Sequence, residues 1–164
     1  MWFAADLHFG HKGIIDHCGR PFTDVDEMDQ ALVDNWNDYV QPTDTVYLLG
    51  DIAFHNYERI GQLNGKLLLV PGNHDHERME KIEPWVNKVL DEVHYLKVDA
   101  AWRFVLCHYP FEAWRRGYKY HLHGHCHGTG AIRKNRMDVG FDATRKYRPM
   151  HIDEIKEVFN AQQA

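Results

Sequence analysis

Asp6 and His8, Asp51, the triplet Asn73-His74-Asp75, His108, and the run His121-Leu122-His123-Gly124-His125-Cys126-His127-Gly128 are groups that could hold a cation, each directly after a strand-like run. Carboxylates supply hard oxygens, Asn73 a neutral carbonyl oxygen, and His8, His108, His125 and His127 imidazole nitrogens. This mixture suits divalent manganese, iron or zinc. Calcium and magnesium prefer oxygen alone, and structural zinc favours thiolates. Seven donors exceed what one tetrahedral ion takes. With one bridging carboxylate they give each of two ions about four protein ligands, leaving positions for water and substrate.

These residues share a setting. Lys66-Leu67-Leu68-Leu69-Val70 is a continuous apolar run of strand length, stopped by Pro71-Gly72 and followed at once by Asn73-His74-Asp75. Trp2-Phe3-Ala4-Ala5 runs likewise into Asp6-Leu7-His8, Thr45-Val46-Tyr47-Leu48-Leu49 into Gly50-Asp51, and Phe104-Val105-Leu106-Cys107 into His108. Tyr118-Lys119-Tyr120 leads into the histidine run. Helical signals lie between. Thr23-Asp24-Val25-Asp26 reads as a capping box with Asp in place of Glu, and Val25, Met28, Leu32, Val33, Trp36, Tyr39 and Val40 recur at helical spacing before Gln41-Pro42. A turn or short helix is expected around Ile14-Ile15, and a helix over 56–63 ending at Asn64-Gly65. Alternation over 92–98 and an apolar stretch over 101–107 predict a strand pair, 135–141 a further strand, 151–159 a strand-to-helix segment, and 161–164 a frayed end.

Composition sets the outer limits. At 164 residues the chain is read as one domain over 1–164, with a real core. The net charge is −5, divided unevenly: residues 1–82 carry 6 basic and 14 acidic side chains, residues 83–164 carry 13 and 10. The basic excess lies in Arg115-Arg116, Arg133-Lys134-Asn135-Arg136 and Arg145-Lys146-Tyr147-Arg148, which reads as solvated surface or as a lining for an anionic substrate. Three cysteines without a C-x-x-C spacing suggest neither a disulfide framework nor a zinc ribbon. The early Asp6 argues against a signal peptide, and no apolar run reaches a membrane span. A cytoplasmic, soluble protein without a membrane partner is the expectation.

The series Asp6-x-His8, Gly50-Asp51, Gly72-Asn73-His74-Asp75, His108 and Gly124-His125-Cys126-His127 resembles, in order, the signature of the calcineurin-like metallophosphoesterase superfamily. The flanks Phe9-Gly10-His11 and Cys18-Gly19-Arg20-Pro21-Phe22 resemble its small bacterial and phage members. The resemblance implies an α/β fold, a four-layer α-β-β-α sandwich of mixed sheets with the bimetal site at the strand carboxyl ends. It further implies one divalent ion on Asp6, His8 and His127 and a second on Asn73, His108 and His125, with Asp51 bridging. Manganese is the first expectation, with iron, zinc or nickel as alternatives. A hydroxide bridging the metals would attack a phosphodiester, or a phosphomonoester, while His74 serves the leaving group or phosphoryl oxygens and Asp75 orients its ring.

Other readings compete. Asp-x-His alone is an ordinary loop, the histidine run could be a surface tract, and Cys126 reads as packing. Arg20 and His11, in loops expected beside the strand ends, are the substrate-binding candidates. His17, His55, His76, His94, His121 and His151 match no ligand position. A small phosphate ester or nucleotide is the expected substrate. A nuclease, which needs a continuous basic groove, and a non-catalytic metal-binding scaffold are the alternatives.

Overall fold

The computed structural model describes residues 1–163. In chain order it contains β1 (Trp2–Ala4), α1 (Lys12–Cys18), α2 (Val25–Asn37), β2 (Thr45–Leu48), a 3-10 segment (Tyr57–Gln62) and β3 (Lys66–Leu69). A short helix α3 (Met79–Ile82) precedes β4 (Lys88–Val89), β5 (Val93–Lys97), β6 (Arg103–Cys107), β7 (Tyr120–His123) and β8 (Arg136–Asp138). The chain ends with α4 (Phe141–Thr144), β9 (Met150–His151) and α5 (Ile152–Ala161).

Two mixed sheets result. The first has the order β4-β3-β2-β1-β9, parallel except for β9. The second has the order β5-β6-β7-β8, with only the β5–β6 pair antiparallel. Both faces of the first sheet are buried, which is why its strands read as unbroken apolar runs. Ala4, Val46, Leu48, Leu67 and Leu69 face one core with Met28, Leu32, Val33 and Trp36 of α2. Phe3, Tyr47, Leu49 and Val70 face the other, with Phe104 and Leu106 of β6, Tyr120 and Leu122 of β7, and Ile155 and Phe159 of α5. Period-two alternation thus serves two cores at once. Trp36 is fully buried, and its indole N–H donates to Asn64 O at 2.9 Å, so its polar edge is satisfied too.

Several boundaries differ from those read in the sequence. The α2 cap is Asp24, accepting from Glu27 N–H at 2.9 Å, while the Glu27 carboxylate accepts from Thr23 N–H at 2.7 Å. The box therefore sits one residue later than Thr23-Asp26, because Glu has the reach that Asp lacks. Tyr39 lies past the helix and is 49% exposed. The helix expected over 56–63 is the 3-10 segment, and the strand over 135–141 is cut to three residues before Phe141 opens α4. β7 begins at Tyr120 and includes His121 and His123, which the sequence reading places after the Tyr118–Tyr120 strand run. Of the expected frayed end, Ala161 closes α5, and residue 164 lies outside the described residues.

The outer face of the second sheet carries His121 and is covered by irregular chain from the 109–119 stretch. Phe111 and Trp114 lie against the His121 ring at centroid distances of 5.2 and 5.4 Å. His121 Nδ1–H donates to Val105 O at 2.9 Å, and its Nε2 accepts from Phe111 N–H at 3.1 Å. One buried imidazole satisfies strand and loop together. Among the described residues no helix is long and apolar enough to cross a membrane.

Candidate metal centre

The parallel ladder between β1 and β2 does not stop where the strands do. Asp6 N–H donates to Gly50 O at 3.0 Å, His8 N–H to Asp51 O at 3.1 Å and Phe9 N–H to Ile52 O at 2.9 Å. These bonds hold the two segments in an unusual backbone conformation: Asp6, His8 and Asp51 have φ of 57°, 59° and 55°, and His125 and His127 have 69° and 47°. Five of the nine non-glycine residues with positive φ among those described are candidate ligands. Each such residue costs about 1 kcal/mol. Strain of that size persists only where the surrounding structure enforces it, and here it turns the side chains inward at the strand ends.

Glycines permit the close approach. A methyl on Gly72 would run into the Asp51 carboxylate, and one on Gly124 would lie 2.6 Å from Asp6 Oδ2. Asp51 Oδ2 then stands 3.4 Å from His108 Nε2, 3.9 Å from His8 Nε2 and 4.0 Å from His74 Nε2. His108 Nε2 is also 3.0 Å from Asn73 Oδ1 and 3.2 Å from His125 Nδ1. Two three-donor groups, each with its ligand atoms within 4.8 Å of one another, share Asp6: one with His8 and His127, the other with Asp51 and His108. The seven residues expected as ligands lie near one another, but the carboxylate common to the two groups is Asp6, whereas Asp51, expected as the bridge, belongs to the second group and stands 3.9 Å from His8 Nε2 of the first.

Tautomers are fixed from behind. His108 Nδ1–H donates to Leu49 O at 2.8 Å, and His127 Nδ1–H to Asp142 Oδ2 at 2.7 Å, leaving each Nε2 lone pair free. His8 Nδ1 faces His11 Nδ1 at 3.2 Å, while His8 Nε2 is a buried nitrogen with no hydrogen-bond partner. An orphaned buried nitrogen is uncommon in a folded chain and fits a group that takes an ion.

The charges point the same way. Burial pushes the Asp6 carboxyl up to about 7, only partly offset by His108 and His127, so added positive charge nearby would favour its ionised form. Burial also drives His8 well below its ordinary value, with Arg20 adding to the effect, which keeps its ring neutral. His108 is opposed by burial yet raised to about 9 by Asp51. A proton and a metal would therefore compete for His108 Nε2.

His74 and Asp75 part company. The His74 side chain is 44% exposed and leans over the carboxylates, its ring 4.7 Å from that of Phe54. Asp75, expected to orient that ring, is instead fully buried and accepts from the N–H groups of Asp51 at 2.8 Å, Ile52 at 3.1 Å and Gly72 at 2.8 Å. Its carboxylate organises the backbone beneath Asp51. His11, stacked 4.1 Å from Phe54, shares an open cleft of about 390 Å³ with His8, His74 and His127, which is compatible with substrate contact.

Arg20 does not fit that role. It is buried, its Nε and Nη2 grip Asp142 at 2.8 Å each, and it donates to Leu7 O at 2.8 Å and Asp6 O at 2.7 Å. No donor is left pointing at the cleft. Asp142 links it to His127, and against burial the His127 and Arg20 hydrogen bonds hold the Asp142 carboxyl down to about 2. Sequence reasoning missed Asp142 because nothing around Phe141-Asp142 distinguishes it from surface. Phe54 was missed too, although an aromatic three residues past Asp51 was available as a signal. Two side chains of the basic clusters are bonded within the chain, Arg136 to Phe111 O, Ala131 O and Glu112, and Arg148 to Glu154, whereas Arg115, Arg116, Arg133, Lys134, Arg145 and Lys146 are exposed.

No family model matches the chain. It is 28% identical over 195 residues to the Gene 66 protein of Mycobacterium phage D29, covering 98% of this chain and 96% of that protein. Its fold resembles the crystal structure of a protein of unknown function, AQ665 from Aquifex aeolicus, with a TM-score of 0.75 over 96% of this chain and 98% of that one, at 22% identity. It is 31% identical over 170 residues to the uncharacterized protein MJ1445 of Methanocaldococcus jannaschii, covering 94% of this chain and 88% of that protein. The chain therefore belongs to the same family as MJ1445.

Proposed function

We propose that this chain is a dinuclear metal-dependent phosphoesterase of the calcineurin-like type, with phosphodiesters as its first substrate class and phosphomonoesters as its second. The carrying observation is the convergence on Asp51 Oδ2 of three imidazole nitrogens from three separate segments, beside a buried His8 Nε2 that has no partner. In this reading Asp6, His8 and His127 hold one divalent ion, Asn73, His108 and His125 hold the other, and Asp51 serves both. Manganese leads, with iron, zinc or nickel as alternatives, since the donor set mixes oxygen and nitrogen. Bound there, such ions supply Lewis-acid activation of a phosphate ester and of water.

The chain's own residues supply the rest. His74, half exposed above the carboxylates, is placed to give a proton to a departing alkoxide. Its backbone N–H donates to Asp51 Oδ1 at 3.0 Å, so its position is tied to the ligand it overlooks. Phe54 stacks on His11 at 4.1 Å and lies 4.7 Å from the His74 ring, so it braces two imidazoles that line the cleft. The two sheets are the inner layers of an α-β-β-α sandwich, with α1 and α2 as one outer layer and the 109–119 chain in place of much of the other. The nuclease reading needs the exposed Arg115, Arg116, Arg133, Lys134, Arg145 and Lys146 to line one continuous groove, to which the internally bonded Arg136 and Arg148 add nothing.

The test is hydrolysis of bis(p-nitrophenyl) phosphate and p-nitrophenyl phosphate by chelator-stripped protein, with Mn²⁺, Ni²⁺, Zn²⁺ or Mg²⁺ restored. Metal-dependent turnover, lost in Asp51→Asn, is expected. His74→Asn should retain metal yet slow turnover by about 10²-fold. Turnover that needs no metal would overturn the reading, and two bound ions without turnover of any phosphoester would favour the scaffold alternative.

A further inference from the structure

Behind the loop that carries His125 and His127 lies a second group of donors that the proposed reaction does not use. His123 at the end of β7, Cys126 in the loop and Asp138 at the end of β8 each present a ligand atom, and the three atoms lie within 4.8 Å of one another. We infer that His123, Cys126 and Asp138 form a third cation site, selective for a thiophilic divalent ion such as zinc, that clamps the 124–130 loop to the end of β8. The site stands independently of any phosphoesterase activity.

The donor set comes first. Imidazole nitrogen, thiolate sulfur and carboxylate oxygen are all zinc ligand types, and one of each leaves a fourth tetrahedral position open. Around such an ion, with bonds of about 2.0–2.3 Å, ligand atoms stand roughly 3.5 Å apart, so modest side-chain rotation closes the group.

The orientation of His123 comes second. The ring is buried, and its Nδ1 lies 2.8 Å from Gly124 O. A carbonyl only accepts, so Nδ1 carries the proton and Nε2 keeps its lone pair. A ligand histidine is commonly anchored in this way by its other nitrogen. Asp138 is braced similarly, with Oδ1 accepting from Gly140 N–H at 2.8 Å and Oδ2 from Gly128 N–H at 3.3 Å.

Space comes third. His123, Asp138 and Gly130 line one cavity of about 290 Å³, and Cys126 lines the neighbouring one with His125 and His127. A methyl on Gly130 would lie 3.0 Å from Cys126 Sγ, so the absence of a side chain there leaves the sulfur approachable. Coordination would replace the S–H bond with a metal–sulfur bond and release one proton to solvent, with no change of oxidation state. The consequence reaches the main centre, since Cys126 lies between His125 and His127 and fixing its sulfur fixes the backbone that presents both rings.

Cobalt reports on the site directly, because a thiolate ligand gives a sulfur-to-cobalt charge-transfer band that nitrogen and oxygen ligands do not. Metal-stripped protein titrated with Co²⁺ should develop this band. It should vanish in Cys126→Ser, weaken in His123→Gln with about a 100-fold rise in the cobalt Kd, and persist in Cys18→Ser and Asp51→Asn. No band at saturating Co²⁺ would overturn the proposal. So would a band that depends on Cys18, which stands in another group with His127 and Asp142. If Cys126→Ser does not fold, alkylation of the unaltered chain decides: Zn²⁺ should slow modification of Cys126 on the order of tenfold, and an unchanged rate would refute the site.

Discussion

Replacing Arg20 by Met separates a structural role from a substrate role. Arg20 is buried and makes four hydrogen bonds to oxygen, two to the Asp142 carboxylate and one each to the carbonyls of Asp6 and Leu7, with a fifth, weaker one to Met28 Sδ. Methionine fills similar volume but supplies no donor. The change leaves the Asp142 carboxylate buried with His127 as its remaining partner, and removes an N–H from two carbonyls at the centre of the site. Breaking a buried pair by removing one partner costs about 3–5 kcal/mol, and His127 offsets part of this, so about 3–4 kcal/mol is expected. With an m-value of roughly 2.5 kcal/mol/M for urea, the unfolding midpoint should fall by about 1.5 M. The assay is urea unfolding of metal-free protein, which no substrate or ion can influence. A parallel Asp142→Asn variant and the double variant complete the cycle, with a coupling of about 2 kcal/mol or more expected between side chains in direct contact. A loss below about 1 kcal/mol in Arg20→Met would refute this account and return Arg20 to the substrate.

Two further outcomes follow from buried groups. His121 is held down to about 4 by burial, against about 6.5 when unfolded; its contribution is complete above pH 6.5 and is lost as pH falls toward 4, by about 3 kcal/mol in all. His121→Gln should lower stability at neutral pH but flatten this acid slope in urea unfolding, and an unchanged slope would remove His121 as its source. Asp75→Asn sets an amide NH₂ against one or more of three backbone donors and should cost about 2 kcal/mol, measured by thermal unfolding without metal. Wild-type stability in that variant would mean the carboxylate does not organise the Asp51 turn.

The strands were legible because each of the central ones is buried on both faces, and an apolar run of that length ending in Gly, Pro and polar residues fits little besides a buried strand. The seven candidate ligands were legible because they follow those runs. What stayed hidden depends on distance in the chain. Arg20 and Asp142 are 122 residues apart, and neither neighbourhood hints at the other, so Arg20 read as a loop residue free for substrate. Asp75 misled for a different reason: adjacency to His74 suggested that they touch, whereas the turn after β3 sends the carboxylate down to three backbone N–H groups and the imidazole up to solvent. The strand read as Tyr118–Tyr120 runs on to His123 because His121, a buried imidazole with both nitrogens bonded, behaves as a core residue.

The positions where local preference fails are the ones where the chemistry collects. Non-glycine residues avoid positive φ, yet Asp6, His8, Asp51, His125 and His127 all adopt it, which at about 1 kcal/mol each amounts to roughly 5 kcal/mol, a large share of a typical domain's net stability. A buried carboxylate without a cation is unfavourable, yet Asp6 is fully buried; a buried nitrogen without a partner is unfavourable, yet His8 Nε2 is one. Packing alone would remove each of these features, since Gly in place of the strained residues and an apolar side chain in place of His8 would stabilise the apo chain. Under the proposed metal-dependent reading, a bound cation would reverse the balance at all of them together, because it would ionise Asp6, satisfy His8 Nε2 and offset the strain of the inward-turned backbones. That reading therefore predicts that added divalent metal raises the unfolding temperature of this chain far more than that of Asp51→Asn, and an equal shift in both would refute it.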